Sequence, residues 1–284
     1  MAAAGATPGA HGAAPYRRRV AQGPLARTVL IGLAGIVAVL FLLLPVIVIF
    51  VEALSLGVGA YVEAVIEPST LHAVWLTLLT ALVVVPVNVV FGIAAAWCIT
   101  RFEFKGKKLL ITLIEIPFSV SPIVAGISYL FFYGSQGLLG PVLAAYDIRI
   151  MFSVPAIMLA SMFVTSPFVA RELIATMQVQ GNEYEEAALS LGASGFKTFL
   201  KVTLPNMKWG LLYGALLCNA RVMGEFGAVS VVSGSIRGQT NTLPLQIELL
   251  FNDYSAVGAF AAASLLTLLA VFSLLAKAWL ERRR

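Results

Sequence analysis

Long apolar stretches, separated by short polar segments, dominate the chain. Six of them reach the length of about 20 residues that a helix needs to cross the hydrocarbon core of a bilayer. They cover approximately residues 30–51, 71–100, 109–133, 151–170, 209–232 and 256–280. Because unpaired backbone N–H and C=O groups are not tolerated in lipid, each stretch is expected to be a helix. The pattern predicts an all-α, polytopic membrane protein with six transmembrane helices.

Prolines interrupt several of these stretches. Pro45 lies in the first, Pro86 in the second, and both Pro117 and Pro122 in the third. Proline lacks the N–H donor and its ring clashes with the carbonyl four residues earlier in a helix. The third stretch is therefore predicted to be kinked or broken, with its freed carbonyls facing protein or water rather than lipid.

The charge pattern orients the predicted helices. Charged residues make up only 12% of the chain, against about a quarter in a soluble domain. The net charge of +5 would suit a nucleic-acid binder, but most of the 19 Lys and Arg residues lie at one set of ends of the apolar stretches. Such an excess marks the cytoplasmic face. We therefore expect both termini and residues 183–210 in the cytoplasm, contact with membrane lipid, and no contact with nucleic acid.

The first 28 residues are rich in Ala, Gly and Pro and contain the basic cluster YRRRV. The apolar run after Arg27 is longer than the core of about 7–15 residues found in a cleaved signal peptide. We expect a flexible, basic cytoplasmic tail over residues 1–28 and a single uncleaved membrane domain over residues 29–284.

Motifs for catalysis and for nucleotide binding are not found in the sequence. It contains no phosphate-binding loop of the G-x-x-x-x-G-K-[ST] type. Its two histidines, His11 and His72, are isolated, and Cys98 and Cys218 lie inside apolar runs without the spacing of a metal site or a disulfide. We expect a membrane pathway or scaffold, not an enzyme, with no catalytic, cofactor-binding or metal-binding residues.

One polar segment, residues 183–210 (EYEEAALSLGASGFKTFLKVTLPNMKWG), predicts two short amphipathic helices joined at a glycine turn. Asn182 is expected to cap the first helix, whose first turn is acidic. Gly192 is expected to end that helix in a left-handed conformation. Ser194 is expected to cap the second helix, and Pro205 to prevent its simple continuation. From the residues alone, two interpretations remain. The segment is either a docking site for a partner protein or a loop that packs against its own helices.

Within this segment, EAALSLGASGFKTFLKVTLP resembles the EAA loop of ATP-binding-cassette (ABC) importer permeases. The matching residues are Glu186, Ala187, Ala188, Gly192, Val202, Leu204 and Pro205, with valine where the family usually has isoleucine. In that family the loop, here about residues 171–208, couples the membrane helices to a separate ATPase. The resemblance implies that Glu186 contacts the ATPase, that Gly192 permits the turn, and that Pro205 ends the segment beneath the fifth span.

Residues 116–140 and 219–250, together with residues 86–102, are similar to the CysW-type subunits of the sulfate/thiosulfate branch of these permeases. The resemblance implies half of the translocation pathway of an ATP-driven importer in a bacterial inner membrane. It also implies a sister permease, two copies of an ABC ATPase that bind ATP and Mg, and an extracytoplasmic sulfate-binding protein. The alanine-rich tail and Glu115, where the family is expected to have aspartate, depart from the pattern. The alternatives are a molybdate or tungstate ABC permease, a stand-alone ion-coupled carrier, and a non-transporting scaffold.

Four polar residues inside the predicted spans are candidates for the pathway: Asn219, Arg221, Glu225 and Glu115. A charge at the bilayer centre costs about 2.5–3.5 kcal/mol on insertion scales. Arg221 and Glu225 are four residues apart and share one helix face. Either the two neutralise each other and fasten the helix, or Arg221 attracts a doubly charged oxyanion while Glu225 holds it in place. Mutual pairing favours the first interpretation, because it cancels much of the attraction for an anion; for Glu115 a structural role and a gating role both stay open.

The segment of residues 233–255 is expected on the external side. Pro244 predicts the start of a short helix there. Its leucines, Leu245, Leu249 and Leu250, are expected either at the outer membrane interface or packed within the protein. The resemblance suggests an outer gate or a contact for the binding protein in this segment.

Overall fold

The structure is a computed structural model that describes residues 24–282. Within these residues the chain is helical, without β-strands. The α-helices are α1 (Pro24–Ala38), α2 (Leu44–Ala53), α3 (Val58–Ile66), α4 (Pro68–Arg101), α5 (Lys107–Ser119), α6 (Pro122–Tyr133), α7 (Gly140–Ala145), α8 (Val154–Gln180), α9 (Glu183–Ser190), α10 (Gly195–Thr198), α11 (Leu204–Met223), α12 (Gly227–Val232), α13 (Leu243–Asn252) and α14 (Ala256–Glu281). Of the tail predicted for residues 1–28, residues 1–23 lie outside the described residues, and residues 24–28 belong to α1.

Four helical runs among the described residues are long and apolar enough to cross a membrane. They are Arg27–Ala53, Pro68–Arg101, Val154–Gln180 and Ala256–Ala276. A fifth span is obtained if α5 and α6 are taken as one bent span. The remaining predicted stretch, residues 209–232, is divided between α11 and α12, and α11 is less apolar because it carries Lys208 and Arg221. The chain is thus an all-helical, polytopic membrane protein, and the length and composition of its described helices identify four or five spans instead of six.

Two prolines are accommodated by π-helical turns. Val39–Leu43 precedes Pro45, and Phe199–Thr203 precedes Pro205. In both cases the leucine just before the proline donates its N–H to the carbonyl of the first residue of the π-turn. The extra residue in such a turn moves the carbonyl with which the proline ring would clash. The chain therefore continues past Pro205 from α10 into α11, but through a π-turn instead of a regular α-helix, in agreement with the expectation that Pro205 prevents a simple continuation.

The other prolines in the predicted spans have different outcomes. Helix α4 runs through Pro86 without a break. Helices α5 and α6 are bent by 108° at the break between them, which confirms the prediction of a broken third span. Pro122 occupies the first turn of α6, where no N–H donor is needed, and the preceding Ser121 is extended (ψ 133°), as a residue before proline prefers.

The packing of the helices after α2 is contained in a unit that begins at Val48. Its largest core lies where α4, α8 and α11 pack together, around the buried side chains Val84, Leu173 and Met207. Asn88 crosses this core and donates to the hydroxyl of Thr165 (2.8 Å) and weakly to the sulfur of Cys218 (3.7 Å). These contacts satisfy a buried amide and tie the three helices to one another.

The two cysteines are both free. Cys218 is buried, whereas Cys98 is partly exposed, although both lie inside apolar runs of the sequence. In the segment of residues 233–255, which is expected on the external side, the predicted short helix is present as α13, and Pro244 lies in its first turn. Leu245 and Leu250 pack into two separate cores, which selects packing within the protein for these two leucines over the outer membrane interface.

Candidate functional site

Helices α9 and α10 form an exposed helix pair that links α8 to α11. Helix α9 carries three glutamates in its first turn, and none of its residues is fully buried. Gly192 follows it with φ +84°, and the next residue, Ala193, donates its N–H to the carbonyl of Ala188 (3.0 Å). This arrangement confirms the predicted left-handed end of the helix.

The two predicted helix caps behave differently. The hydroxyl of Ser194 accepts the N–H of Lys197 (3.4 Å), as predicted for the start of α10. Asn182 precedes α9, but its side chain makes no capping hydrogen bond, so that prediction is wrong. The reason is its backbone: Asn182 is near-helical (φ −114°, ψ −2°), and a capping side chain reaches back from an extended residue.

The residues of the EAA-type pattern divide between the surface and the base of the helix pair. Glu186, Ala187, Gly192 and Pro205 are exposed, and Ala188, Val202 and Leu204 are half-buried. Among the described residues, the carboxylate of Glu186 has no hydrogen bond and no ion pair with another side chain. The exposed surface of the pair thus presents a carboxylate that is available to another molecule.

The neighbouring Glu185 is directed towards the protein itself. One carboxylate oxygen, Oε2, lies 2.5 Å from Nε of Arg101, the last residue of α4. The other, Oε1, accepts the hydroxyl of Thr203 in the π-turn (2.7 Å). Both charged side chains are largely buried, at 12% and 13% exposed. Neither Arg101 nor Glu185 was predicted from the sequence. The available signal for Glu185 was the pair of adjacent glutamates, whose side chains point about 100° apart on a helix.

A cleft of about 290 Å³ lies beside this ion pair, between the end of α4 and the helix pair. Its wall includes Trp97, whose ring packs on Phe199 of the π-turn (4.6 Å between centroids) and on Phe102 (5.4 Å). The base of the helix pair is therefore fixed to α4 by an aromatic contact as well as by charge.

Arg221 and Glu225 form the ion pair expected from their spacing, with 2.9 Å between Nη1 and Oε2. The sequence did not reveal that α11 ends between them. Glu225 lies in the break before α12, and its Oε1 accepts the N–H of Ala228 (3.2 Å) in the first turn of α12. The carboxylate thus balances a charge and also binds the start of the next helix. Its side chain is 1% exposed, against 35% for Arg221.

The other two candidates are not members of this ion pair. Asn219 donates its amide to the hydroxyl of Ser273 (3.2 Å) and thereby joins α11 to α14. Glu115 is exposed on α5 and makes no contact with the other three candidates in the described part of the chain. No hydrogen bond between its carboxylate and backbone groups of the broken span is seen there.

Gly192 offers a local test of the helix pair. Gly192→Ala is expected to lower the stability of the folded protein by about 1–2 kcal/mol, because a Cβ is strained in the left-handed region. Thermal denaturation of the detergent-solubilised protein measures the change. Gly195→Ala is the matched control, since Gly195 has no positive φ and a Cβ there meets nothing within 4 Å. Equal melting temperatures for the two variants would contradict the turn geometry.

The chain is similar to known transport proteins. Residues 88–284 match the family described as "Binding-protein-dependent transport system inner membrane component". The sulfate transport system permease protein CysW of Escherichia coli is 56% identical over 254 residues, which cover 89% of this chain and 87% of that protein. The sulfate transport system permease protein CysT of Escherichia coli is 35% identical over 263 residues, covering 90% and 94%.

The fold also matches a solved transporter. The crystal structure of a bacterial alginate ABC transporter, in complex with an alginate pentasaccharide-bound periplasmic protein, contains a chain similar to this one with a TM-score of 0.74. The alignment covers 91% of this chain and 94% of that chain, at 17% sequence identity. At that identity the match establishes a common fold.

Proposed function

Since the chain belongs to the family of binding-protein-dependent transport system inner membrane components, we propose that it is the CysW-type permease subunit of an ATP-driven sulfate and thiosulfate importer. The higher identity to CysW (56%) than to CysT (35%) supports this choice between the two subunits. The chain is a multi-pass membrane protein of a transport family, and its helices form one half of a translocation pathway.

The energy source of the proposed importer lies in other subunits. Two copies of an ABC ATPase bind ATP and Mg, a sister permease forms the second half of the pathway, and an extracytoplasmic binding protein delivers the anion. The excess of basic residues at one set of helix ends supports a topology with both termini in the cytoplasm of a bacterium. In this topology α9 and α10 are also cytoplasmic and face the ATPase.

The observation that carries the proposal is the exposed helix pair, which ends in a helical run into α11. Closure of the ATPases around ATP displaces α9 and α10, and the continuous helix passes this displacement to α11 in the membrane. The two permease bundles then alternate between inward-open and outward-open states. Glu186, exposed and without an internal partner, provides the polar contact to the ATPase.

Reconstitution tests this function. The chain is co-expressed with its sister permease, the ATPase and the binding protein, purified as a complex and placed in proteoliposomes. We expect uptake of labelled sulfate that requires ATP and the binding protein, and competition by thiosulfate. Stronger uptake of molybdate or tungstate would assign the complex to that anion instead. Uptake by the chain alone, driven by an ion gradient, would show that it is a stand-alone carrier.

Glu186→Ala tests the contact to the ATPase. A hydrogen bond to a charged group contributes about 1.5–3 kcal/mol, so the affinity of the ATPase for the permease is expected to fall by about tenfold or more. Titration of the purified permease pair with the ATPase measures this affinity. Glu183→Ala is the control, because Glu183 lies in the same acidic first turn but outside the EAA-type pattern. An equal effect of both substitutions would assign the contact to general acidity of the turn.

A further inference from the structure

Glu185 and Glu186 are sequence neighbours with opposite surroundings. Glu186 is exposed, whereas Glu185 is bound to Arg101 and to Thr203. The two carboxylates therefore have different surroundings, and that of Glu185 joins α9 to the end of α4 and to the π-turn.

The partner of Glu185 lies far away in sequence. Arg101 ends α4, a helix of 34 residues that runs through the core of the protein. Through the backbone, α9 is connected to α8 on one side and to α10 and α11 on the other, but not to α4. The ion pair supplies a direct connection from α9 to α4.

We propose that the Arg101–Glu185 ion pair is a coupling element, through which a displacement of α9 by the ATPase reaches α4. This inference rests on the proposed function of the helix pair. When the ATPases close around ATP, the ion pair makes α4 move together with α8 and α11. Arg101 and Glu185 are positioning residues: they touch neither the anion nor the nucleotide.

The surrounding contacts suit this role. Arg101 also donates to the carbonyl of Gly181 (2.9 Å), the residue that follows α8. Glu185 accepts from Thr203, so the ion pair connects the ends of α4 and α8 with α9 and with the π-turn below α11. Since both side chains are largely buried, water and salt screen their attraction only weakly.

An aromatic contact holds the helix pair to α4 independently of the ion pair. Trp97 of α4 packs on Phe199 of the π-turn without involving either charge. This aromatic contact continues to hold the base of the helix pair when the ion pair is broken. Loss or reversal of a charge in this largely buried pair is expected to lower the amount of assembled complex, least for the neutral Glu185→Gln, and the complex that does assemble differs in how tightly α9 follows α4.

The experiment uses the complete reconstituted complex and four variants of this chain: Arg101→Glu, Glu185→Arg, the double exchange, and Glu185→Gln. Sulfate uptake and ATP hydrolysis stimulated by the binding protein are measured in the same proteoliposomes, together with the amount of bound ATPase. The decisive quantity is sulfate transported per ATP hydrolysed. A variant that only weakens the fold lowers uptake, hydrolysis and bound ATPase in parallel and leaves this ratio unchanged.

For each single charge reversal we expect a lower yield of complex; in the complex that assembles we expect normal ATPase binding and a ratio reduced by about tenfold, within the usual range for coupling between two sites. The double exchange restores the ion pair and is expected to recover most of the ratio. It does not restore the bonds to Gly181 and Thr203, so recovery stays incomplete. Glu185→Gln retains an oxygen for Thr203 but loses the charge, and an intermediate ratio is expected.

Glu103→Arg is the matched control, a charge reversal two residues after Arg101 at a side chain that is 90% exposed. It should leave the ratio unchanged. The proposal is overturned if the single variants, including Glu185→Gln, keep the wild-type ratio, or if the double exchange recovers nothing. A failure of the proposed function looks different: the wild-type complex itself then binds no ATPase or transports no sulfate.

Discussion

Replacement of Arg221 by methionine is expected to abolish the accumulation of assembled permease. The carboxylate of Glu225 is 1% exposed and has Arg221 as its ion-pair partner among the described residues. Removal of one partner of a buried ion pair costs about 3–5 kcal/mol, because it leaves the other charge buried and uncompensated. Typical stabilities of folded proteins are about 5–15 kcal/mol, so the loss is severe. The measurement is the amount of this chain that copurifies with the ATPase from solubilised membranes.

A double variant separates a structural role of this ion pair from a role in the pathway. Arg221→Met combined with Glu225→Gln removes both charges and keeps a side-chain oxygen for the N–H of Ala228. Neutral replacement of a whole buried pair is often tolerated, so assembly is expected to recover. Wild-type sulfate uptake by this assembled double variant would show that the pair fastens the helices. Normal assembly without uptake would assign Arg221 to the anion pathway.

Arg237→Met is the matched control for the loss of an arginine. Arg237 pairs with Asp253 outside the predicted spans, and both side chains are 49% exposed. Exposed ion pairs contribute about 0–1 kcal/mol, so normal assembly is expected. If Arg221→Met assembled as well as this control, the carboxylate of Glu225 would not depend on Arg221.

The sequence predicted features that depend on a residue and its immediate neighbours. Gly192 ends α9 because glycine, which has no Cβ, adopts the left-handed conformation without strain. Ser194 caps α10 by accepting the N–H of Lys197, three residues later. Asn182 shows the limit of this reasoning. The preceding Gly181 has φ +70°, so the chain enters α9 by a turn that leaves Asn182 near-helical and its side chain unused as a cap.

Breaks inside apolar stretches were harder to predict. The break between α5 and α6 lies directly before Pro122 and follows from the covalent geometry of that proline and its preceding residue, whereas Pro117 lies inside α5. The break between α11 and α12 contains no proline; Gly224 follows α11, and the Glu225 carboxylate accepts the N–H of Ala228 in the first turn of α12. A hydropathy pattern counts apolar residues and carries no information on such a bond. It therefore showed one continuous stretch over residues 209–232.

Contacts between residues that are distant in sequence could not be predicted from the sequence. Arg101 and Glu185 are each ordinary charged residues at the ends of helices, and no spacing rule connects them. Their contact depends on how α4 and α8 pack, which is decided by the shape of many side chains in the core. The sequence thus identified the helix pair and left its attachment to α4 for the structure to show.

The close packing of α4 against α8 depends on a glycine at the contact. Gly92 of α4 faces Val169 of α8, and a Cβ on Gly92 would lie 2.8 Å from the Val169 Cβ and 3.0 Å from the Ala170 nitrogen. From the other side, a Cβ on Gly214 of α11 would lie 3.2 Å from the Val169 Cα. Val169 is thus enclosed by two glycines, and small residues of this kind let membrane helices approach closely.

Gly92→Leu is expected to prevent the assembly of the permease. Overpacking of a core usually costs about 1–3 kcal/mol, but here the obstacle includes backbone, which cannot rotate away, so the cost lies at or above the upper limit. The yield of ATPase-bound permease measures the loss. Gly59→Leu is the control, because a Cβ at this position of α3 meets nothing within 4 Å.

Gly92→Ala gives a graded version of the same test. Alone it is expected to lower the melting temperature of the solubilised complex, since its Cβ would overlap the Val169 side chain. Combination with Val169→Ala removes the contact with the Val169 Cγ1 at 2.6 Å, while the contacts with the Cβ of residue 169 at 2.8 Å and with the Ala170 nitrogen at 3.0 Å stay. Partial recovery is therefore expected, because neighbouring substitutions that share one contact are not additive. Additive losses in the double variant would show that the two helices do not meet at this pair of residues, and the close packing of α4 against α8 would have to be revised.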